Sequence, residues 1–193
     1  MDCFKIGQLI ASLRKERTMT QKQLADQLHI SNKTVSKWER GQGCPDVALW
    51  EALSSILGAD LLKLLQGEMS PNRPDIGRMD RIRFYRCPTC GNILTSTGSA
   101  NLSCCGRRLS PLIPTPLIEG HEVKREEVDI EYYVTLNHEM TREHYIVFAA
   151  YVLGDRIYLA RLYPEQEAAF VIPLMSARGT LYIYCSKHGF QRC

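Results

Sequence analysis

Apolar residues recur three and four positions apart through the first third of the chain, and two apart through much of the last third. Ile6, Leu9, Ile10 and Leu13 predict a first helix over residues 4–16. Thr20 with Gln23 three residues on is a capping-box pattern for a second helix, whose buried face carries Leu24, Ala25 and Leu28. His29 and Ile30 supply a turn. Ser31 caps a third helix through Val35 and Trp38 to Glu39, which Gly41 and Gly43 end. Pro45-Asp46 opens a fourth helix with Leu49, Leu53, Ile56 and Leu57 inward, and Gly58 stops it. Asp60 starts a short fifth with Leu61, Leu64 and Leu65. The polar, proline-bearing stretch that follows predicts a linker.

Beyond the proline-rich residues 110–116 the period changes. Residues 128–134 alternate as one strand, and 145–153, 156–162, 169–173 and 180–184 are short β-rich runs broken by turns such as Gly154-Asp155. Several short strands without a helix predict an immunoglobulin-like β-sandwich. The expected class is therefore multidomain α plus β. It comprises a five-helix domain over 1–68, a linker over 69–82, a small cysteine knuckle over 83–112 and the sandwich over 113–193.

Composition narrows the function classes. With 45% hydrophobic and 23% charged residues, the chain is expected to fold rather than stay disordered. Its longest apolar run, residues 146–153, is far short of the roughly 20 residues a bilayer requires, and the N-terminus lacks a signal pattern. No membrane partner and a cytoplasmic location are expected. In a reducing compartment the eight cysteines argue for metal ligation rather than disulfides. Cys3 and Cys44 are then expected as incidental or buried thiols, and Cys193 as an idle one. The net charge of +3 is uneven: +1 over 1–68, +5 over 69–110 and −3 over 111–193. Arg73, Arg78, Arg81, Arg83 and Arg86 add to the basic surplus, which suits DNA phosphate, but a solvated basic surface is the favoured reading of such a run.

Two sets of residues carry metal chemistry. Cys87-Pro88-Thr89-Cys90-Gly91 and Cys104-Cys105-Gly106 set two close thiol pairs across a short hairpin, a four-thiolate site suited to iron or zinc. His121, His138, His144, Cys185 and His188 offer four imidazoles and one thiolate, a donor set suited to iron. They use every histidine except His29.

Three resemblances follow from these residues. Thr20-Gln21, Leu24-Ala25, Ile30-Ser31, the run from Val35 to Gly41, Pro45 and the leucines of the fourth helix resemble the phage-repressor (Cro/C1-type) helix-turn-helix family. That resemblance implies a homodimer on double-stranded DNA, with the third helix in the major groove. Ser31, Asn32, Lys33, Thr34 and Lys37 would face the bases, and Gln21 would grip a phosphate. Arg14 and Lys22 are further phosphate candidates. Residues 83–112, with Phe84-Tyr85, Cys90-Gly91 and the adjacent Cys104-Cys105, resemble desulforedoxin, an iron–tetrathiolate domain.

The third resemblance covers Glu119-Gly120-His121, the run from His138 to Ile146, and Cys185-Ser186-Lys187-His188-Gly189. These are similar to the catalytic domain of the superoxide reductases, so that the last two parts together resemble a desulfoferrodoxin. It implies a mononuclear iron with His121, His138, His144 and His188 in a plane, Cys185 on one axis and the other axis open. Glu119 would close that position on oxidised iron. Superoxide would be reduced to hydrogen peroxide with electrons from an unidentified donor. Two positions depart from the family: Gly120 stands where it has a lysine, and Glu139 where it has a proline. Lys124 and Lys187 are candidate replacements for the lysine.

The combined expectation is a DNA-binding transcriptional regulator with a superoxide-responsive iron module that also acts as a superoxide reductase-type oxidoreductase. Two alternatives remain. One is a superoxide reductase with an accessory DNA-binding domain. The other is a structural zinc metalloprotein regulator without redox activity.

Overall fold

The computed structural model describes residues 2–69, 71–74, 79–174 and 179–193. Arg78, the rest of the expected linker over 75–78 and the side chain of Leu61 lie outside the described residues. The chain forms two compact units, Met1–Pro71 and Asn72–Cys193.

The first unit is helical: α1 (Cys3–Glu16), α2 (Gln21–Gln27), α3 (Asn32–Glu39), α4 (Trp50–Leu57) and α5 (Leu61–Gln66). Local chemistry sets most of the boundaries. Asp2 accepts from the N–H groups of Phe4 and Lys5 and starts α1. Thr20 and Gln23 complete both bonds of the capping box. Left-handed His29 (φ +55°) turns the chain between α2 and α3, and Gly58 (φ +59°) ends α4. The expected start of the fourth helix at Pro45-Asp46 is corrected. Asp46 caps only a 3-10 turn, Val47–Leu49, and α4 begins at Trp50. Gly7 of α1 lies so close to α3 that an added Cβ would sit 1.8 Å from the Trp38 carbonyl oxygen. Ile6, Ile10, Leu24, Val35, Leu53 and Leu64 are fully buried in the common core.

Cys3 and Cys44 are corrected too: they form a disulfide rather than two separate thiols. They lie 41 residues apart in sequence, yet the fold brings their Cα atoms to 5.0 Å, inside the range a disulfide spans.

The second unit is β-rich. Two short hairpins come first, β1 (Arg83–Arg86) with β2 (Ile93–Ser96), and β3 (Leu102–Cys104) with β4 (Arg107–Leu109). There follow β5 (Thr115–Pro116), β6 (Val123–Val128), β7 (Glu131–Leu136), β8 (Ile146–Leu153), β9 (Arg156–Arg161), β10 (Ala169–Pro173), β11 (Thr180–Cys185) and β12 (Gly189–Arg192). They make a three-stranded sheet, β10-β7-β6, and a five-stranded one, β5-β12-β11-β8-β9. The single strand expected over 128–134 is corrected: left-handed Asp129 (φ +53°) starts a hairpin turn there, so Val128 ends β6 and Glu131 begins β7.

Both sheets feed one core, in which Val134, Ile172, Ala149, Leu181 and Ile183 are buried. Residues of β11 alternate in direction, as strand geometry requires. Leu181, Ile183 and Cys185 join this core, whereas Tyr182 and Tyr184 pack in a second apolar cluster with Phe84 of β1. The Phe84 ring lies 5.7 Å from Tyr182 and 5.4 Å from Phe190, and the Arg86 guanidinium sits over Tyr184. Among the described residues, no helix is long and apolar enough to cross a membrane.

Candidate metal centres and nucleic-acid interface

Antiparallel pairing gathers the five-residue group. His121 precedes β6 and His138 follows β7, and because Val123 pairs with Leu136 both histidines emerge at one end of the sheet. Cys185 ends β11, fully buried, and the tight turn into β12 brings His188 back over it. A register shift between β11 and β8 at Tyr184/Cys185, the kind of irregularity that re-aims side chains, falls at the same place. His144 sits just before β8, where its N–H donates to Thr141 Oγ1 and its carbonyl accepts from the Thr141 N–H.

The donor atoms converge. His138 Nε2 lies 3.1 Å from His144 Nε2, which is 3.3 Å from His188 Nδ1; that atom is 3.4 Å from His121 Nε2. Cys185 Sγ is 3.5 Å from both His138 Nε2 and His188 Nδ1. All five donors lie within 4.8 Å of one another. Burial, then the neighbouring His121 and His144, pulls the His138 ring down to about 4. Burial first, then His188 and His144, lowers His121 as well. Neutral rings keep lone pairs free for a cation. Nδ1 of His121 and of His138 is buried and has no side-chain acceptor. Four imidazoles and a thiolate facing one point fit iron.

Two carboxylates brace the group. Glu122 accepts from the Gly120 N–H at 3.0 Å and from Asn137 Nδ2 at 2.9 Å, which with the Asn137 N–H to Glu122 carbonyl bond ties the His121 loop to the His138 loop. These bonds, that from Gly120 foremost, hold Glu122 below the usual carboxylate range. Glu139 Oε1 contacts His144 Nδ1. Glu119 is exposed and stands outside the converging group. Of the two replacement lysines, Lys124 pairs with Glu126 at 2.5 Å on the surface, whereas Lys187 acts on Glu139.

Cys87, Cys90, Cys104 and Cys105 form a second convergent group. The Cys87 N–H donates to the Asn92 carbonyl, and the Gly91 N–H to the Cys87 carbonyl, folding the first pair into a tight turn. Cys105 adopts the left-handed conformation (φ +51°), which lets adjacent cysteines aim at one point. The sulfurs of Cys90 and Cys104 are 3.5 Å apart. Hydrogen bonding, the Cys90 N–H foremost, pulls Cys87 down to about 6, while its three thiol neighbours, Cys90 foremost, push Cys105 up to about 12. Four thiols so crowded cannot all ionise unless a cation joins them. The set fits iron or zinc equally.

On the helical unit, Asn32, Lys33 and Lys37 are exposed along α3. Ser31 Oγ caps the Thr34 N–H and lies 2.8 Å from Thr34 Oγ1, so both hydroxyls are engaged within the helix. Gln21 Nε2 donates to Glu39 at 2.8 Å. Arg14, expected as a phosphate candidate, is corrected. It is 8% exposed and forms a two-point ion pair with Glu39 through Nε (2.6 Å) and Nη2 (3.0 Å). Burial pushes the Glu39 carboxyl up, but the bonds from Arg14 and Gln21 outweigh it and hold it below the usual range.

Sequence reasoning missed Glu122 and Asn137, and read Glu139 only as a departure from a family pattern. An acid next to a histidine is a weak signal, because only the β6–β7 register shows what it reaches.

The helix-turn-helix family HTH_3 matches residues 10–64. The chain is 34% identical over 64 residues to the HTH-type transcriptional activator BcrR of Enterococcus faecalis, covering 33% of this chain and 31% of that protein. It thus spans under a third of that relative's length. It is 29% identical over 125 residues to a desulfoferrodoxin homolog of Methanothermobacter thermautotrophicus, covering 55% of this chain and 94% of that protein. The solved superoxide reductase of Treponema pallidum aligns with 58% of this chain and 96% of its own at 20% identity and a TM-score of 0.49. The chain therefore joins a helix-turn-helix domain to a C-terminal part similar to desulfoferrodoxin.

Proposed function

We propose that this protein is a DNA-binding transcriptional regulator whose β-rich unit carries an iron centre of superoxide reductase type. It responds to redox state and reduces superoxide to hydrogen peroxide. The observation that carries this reading is the convergence of His121, His138, His144, Cys185 and His188 within 4.8 Å, in one chain with a helix-turn-helix domain.

The four imidazoles and Cys185 would hold the iron, and iron held there would supply the single electron that superoxide takes up along with two protons. The chain's own residues set the conditions. Burial favours the neutral forms of His121 and His138, which leaves their lone pairs free for a metal. The His188 N–H donates to Cys185 Sγ at 3.5 Å and orients the sulfur. Lys187, exposed beside His188, offers a positive charge that draws in a small anion. Cys87, Cys90, Cys104 and Cys105 would hold a second metal, iron or zinc, that fastens the two hairpins.

On the helical unit, Asn32, Lys33 and Lys37 would reach base edges in the major groove, with Ser31 and Thr34 shaping the helix start and Gln21 beside a phosphate. A homodimer would read paired half-sites.

The test is operator affinity of the iron-loaded reduced, iron-loaded oxidised and iron-stripped protein. We expect at least a fivefold difference among the three, and equal affinities would dismiss the coupling. Pulse-generated superoxide tests the enzymatic half: Cys185→Ser should abolish scavenging.

A further inference from the structure

We propose that Glu139 is a positioning residue for the metal: its carboxylate holds the Nδ1–H of His144 and so fixes the ring with Nε2 toward the other donors. This rests on reading the five-residue group as a metal site.

The argument starts from the two nitrogens of one ring. A neutral imidazole carries its proton on one nitrogen only, and a carboxylate, which can only accept, selects the nitrogen that keeps it. Glu139 Oε1 contacts His144 Nδ1, so the proton stays there. The lone pair is then on Nε2, the atom that lies 3.1 Å from His138 Nε2 and 3.3 Å from His188 Nδ1. That is the tautomer a cation needs.

The contact is specific to this ring. Three histidines turn Nε2 inward: His121, His138 and His144. Nδ1 of the first two has no side-chain acceptor, whereas Nδ1 of His144 has Glu139. Thr141 holds the His144 main chain and bonds neither ring nitrogen. Glu139 is the side chain that bonds Nδ1 on the outer side of the ring. It also follows His138 directly, so one short segment supplies a ligand and the group that aims a second ligand.

One further fact favours a functional role over a structural one: the Glu139 side chain remains 58% exposed, so it adds little to the packed core. A carboxylate–histidine–metal relay of this kind is worth 10–100-fold in metal affinity where it has been removed from other proteins.

The experiment uses the full chain, stripped of metal and titrated with cobalt(II), and anaerobically with ferrous iron against a competing chelator. Difference spectra against Cys185→Ser isolate this site from the four-cysteine group. We expect Glu139→Ala to weaken binding about tenfold and to shift the cobalt ligand-field bands. Glu139→Gln, whose amide oxygen still accepts, should recover most of the affinity. The melting temperature of the two metal-free Glu139 variants at neutral pH should match the parent, which a merely structural residue would not show. Parent-like affinity and spectrum in Glu139→Ala would overturn the proposal, and so would equal losses in the Ala and Gln variants. If the parent binds no metal that Cys185→Ser and His144→Ala remove, the metal-site reading itself fails, a result distinct from either.

Discussion

The carboxylate of Glu122 accepts a hydrogen bond from the side-chain amide of Asn137 at 2.9 Å, and this bond joins the loops that carry His121 and His138. The two histidines lie on different sides of a hairpin, and the bond fixes their separation before any cation arrives. Glu122→Ala should therefore lower metal affinity about tenfold. Asn137→Ala should lower it less, because Glu122 would still hold the Gly120 N–H. The double variant should lose little beyond Glu122→Ala, since both act through one contact. Chelator competition on the three variants checks the order, and a full additive loss would show that the residues act separately.

Acid should loosen the metal-free β-rich unit. His138 is held at about 4 and His121 is lowered too, against an ordinary histidine value of 6.5. Between those values the unfolded chain takes up protons that the folded chain does not, so stability rises with pH. It is fully present above about 6.5 and drains away as pH falls toward 4. Glu122, held low by the Gly120 N–H foremost, adds to the loss at the acid end. The melting temperature of the stripped protein, followed by tyrosine signals in the near ultraviolet, should fall between pH 7 and 4.5. His138→Asn should flatten that slope.

In the helical unit the ion pair between Arg14 and Glu39 is nearly dry, with side chains 10% and 8% exposed. Removing one member leaves the other charge unpaired in the core, which costs about 3 kcal/mol. Glu39→Ala should lower the helical unit's stability by that amount in a urea titration and also release Gln21. Double replacement by apolar residues of similar size should recover much of the loss.

Gly120 stands where the resembled family has a lysine. An added Cβ there meets nothing within 4 Å, so space is not the obstacle. Backbone shape is: φ is +82°, and a side chain in that region costs about 1 kcal/mol. Gly120→Lys should fold with that small penalty and react with pulse-generated superoxide severalfold faster at low salt. Because the gain is electrostatic steering, it should shrink as ionic strength rises.

Elements whose cause is local were readable in the sequence. Thr20 with Gln23, and Ser31 before a run of helix formers, announce their own boundaries. The start of α4 was misplaced because Asp46 serves a 3-10 turn with the same chemistry it would lend an α-helix. The β6–β7 turn hid because Val128, Ile130, Tyr132 and Val134 keep a period of two straight through it. β6 itself is an exposed edge strand whose middle reads Lys124-Arg125-Glu126-Glu127, so it lacked an apolar signal. The disulfide has no local signal in the sequence, because the approach of Cys3 to Cys44 depends on how the start of α1 meets the chain beyond α3. The metal-ligand candidates were legible through the order of their motifs. Their braces were not, since they depend on which strand lies beside which.

The alternation along β11 also limits how the protein can be taken apart. Cys185 looks inward to the histidines, while Tyr182 and Tyr184, three and one residues earlier along the strand, are roofed by Phe84 and Arg86. A shortened chain that began after Leu112 would keep every histidine of the group, yet it would bare an aromatic sheet surface to water. Such a fragment would clump before its chemistry could be assayed, so the cysteine hairpins and the strands behind them must be moved between proteins as one piece.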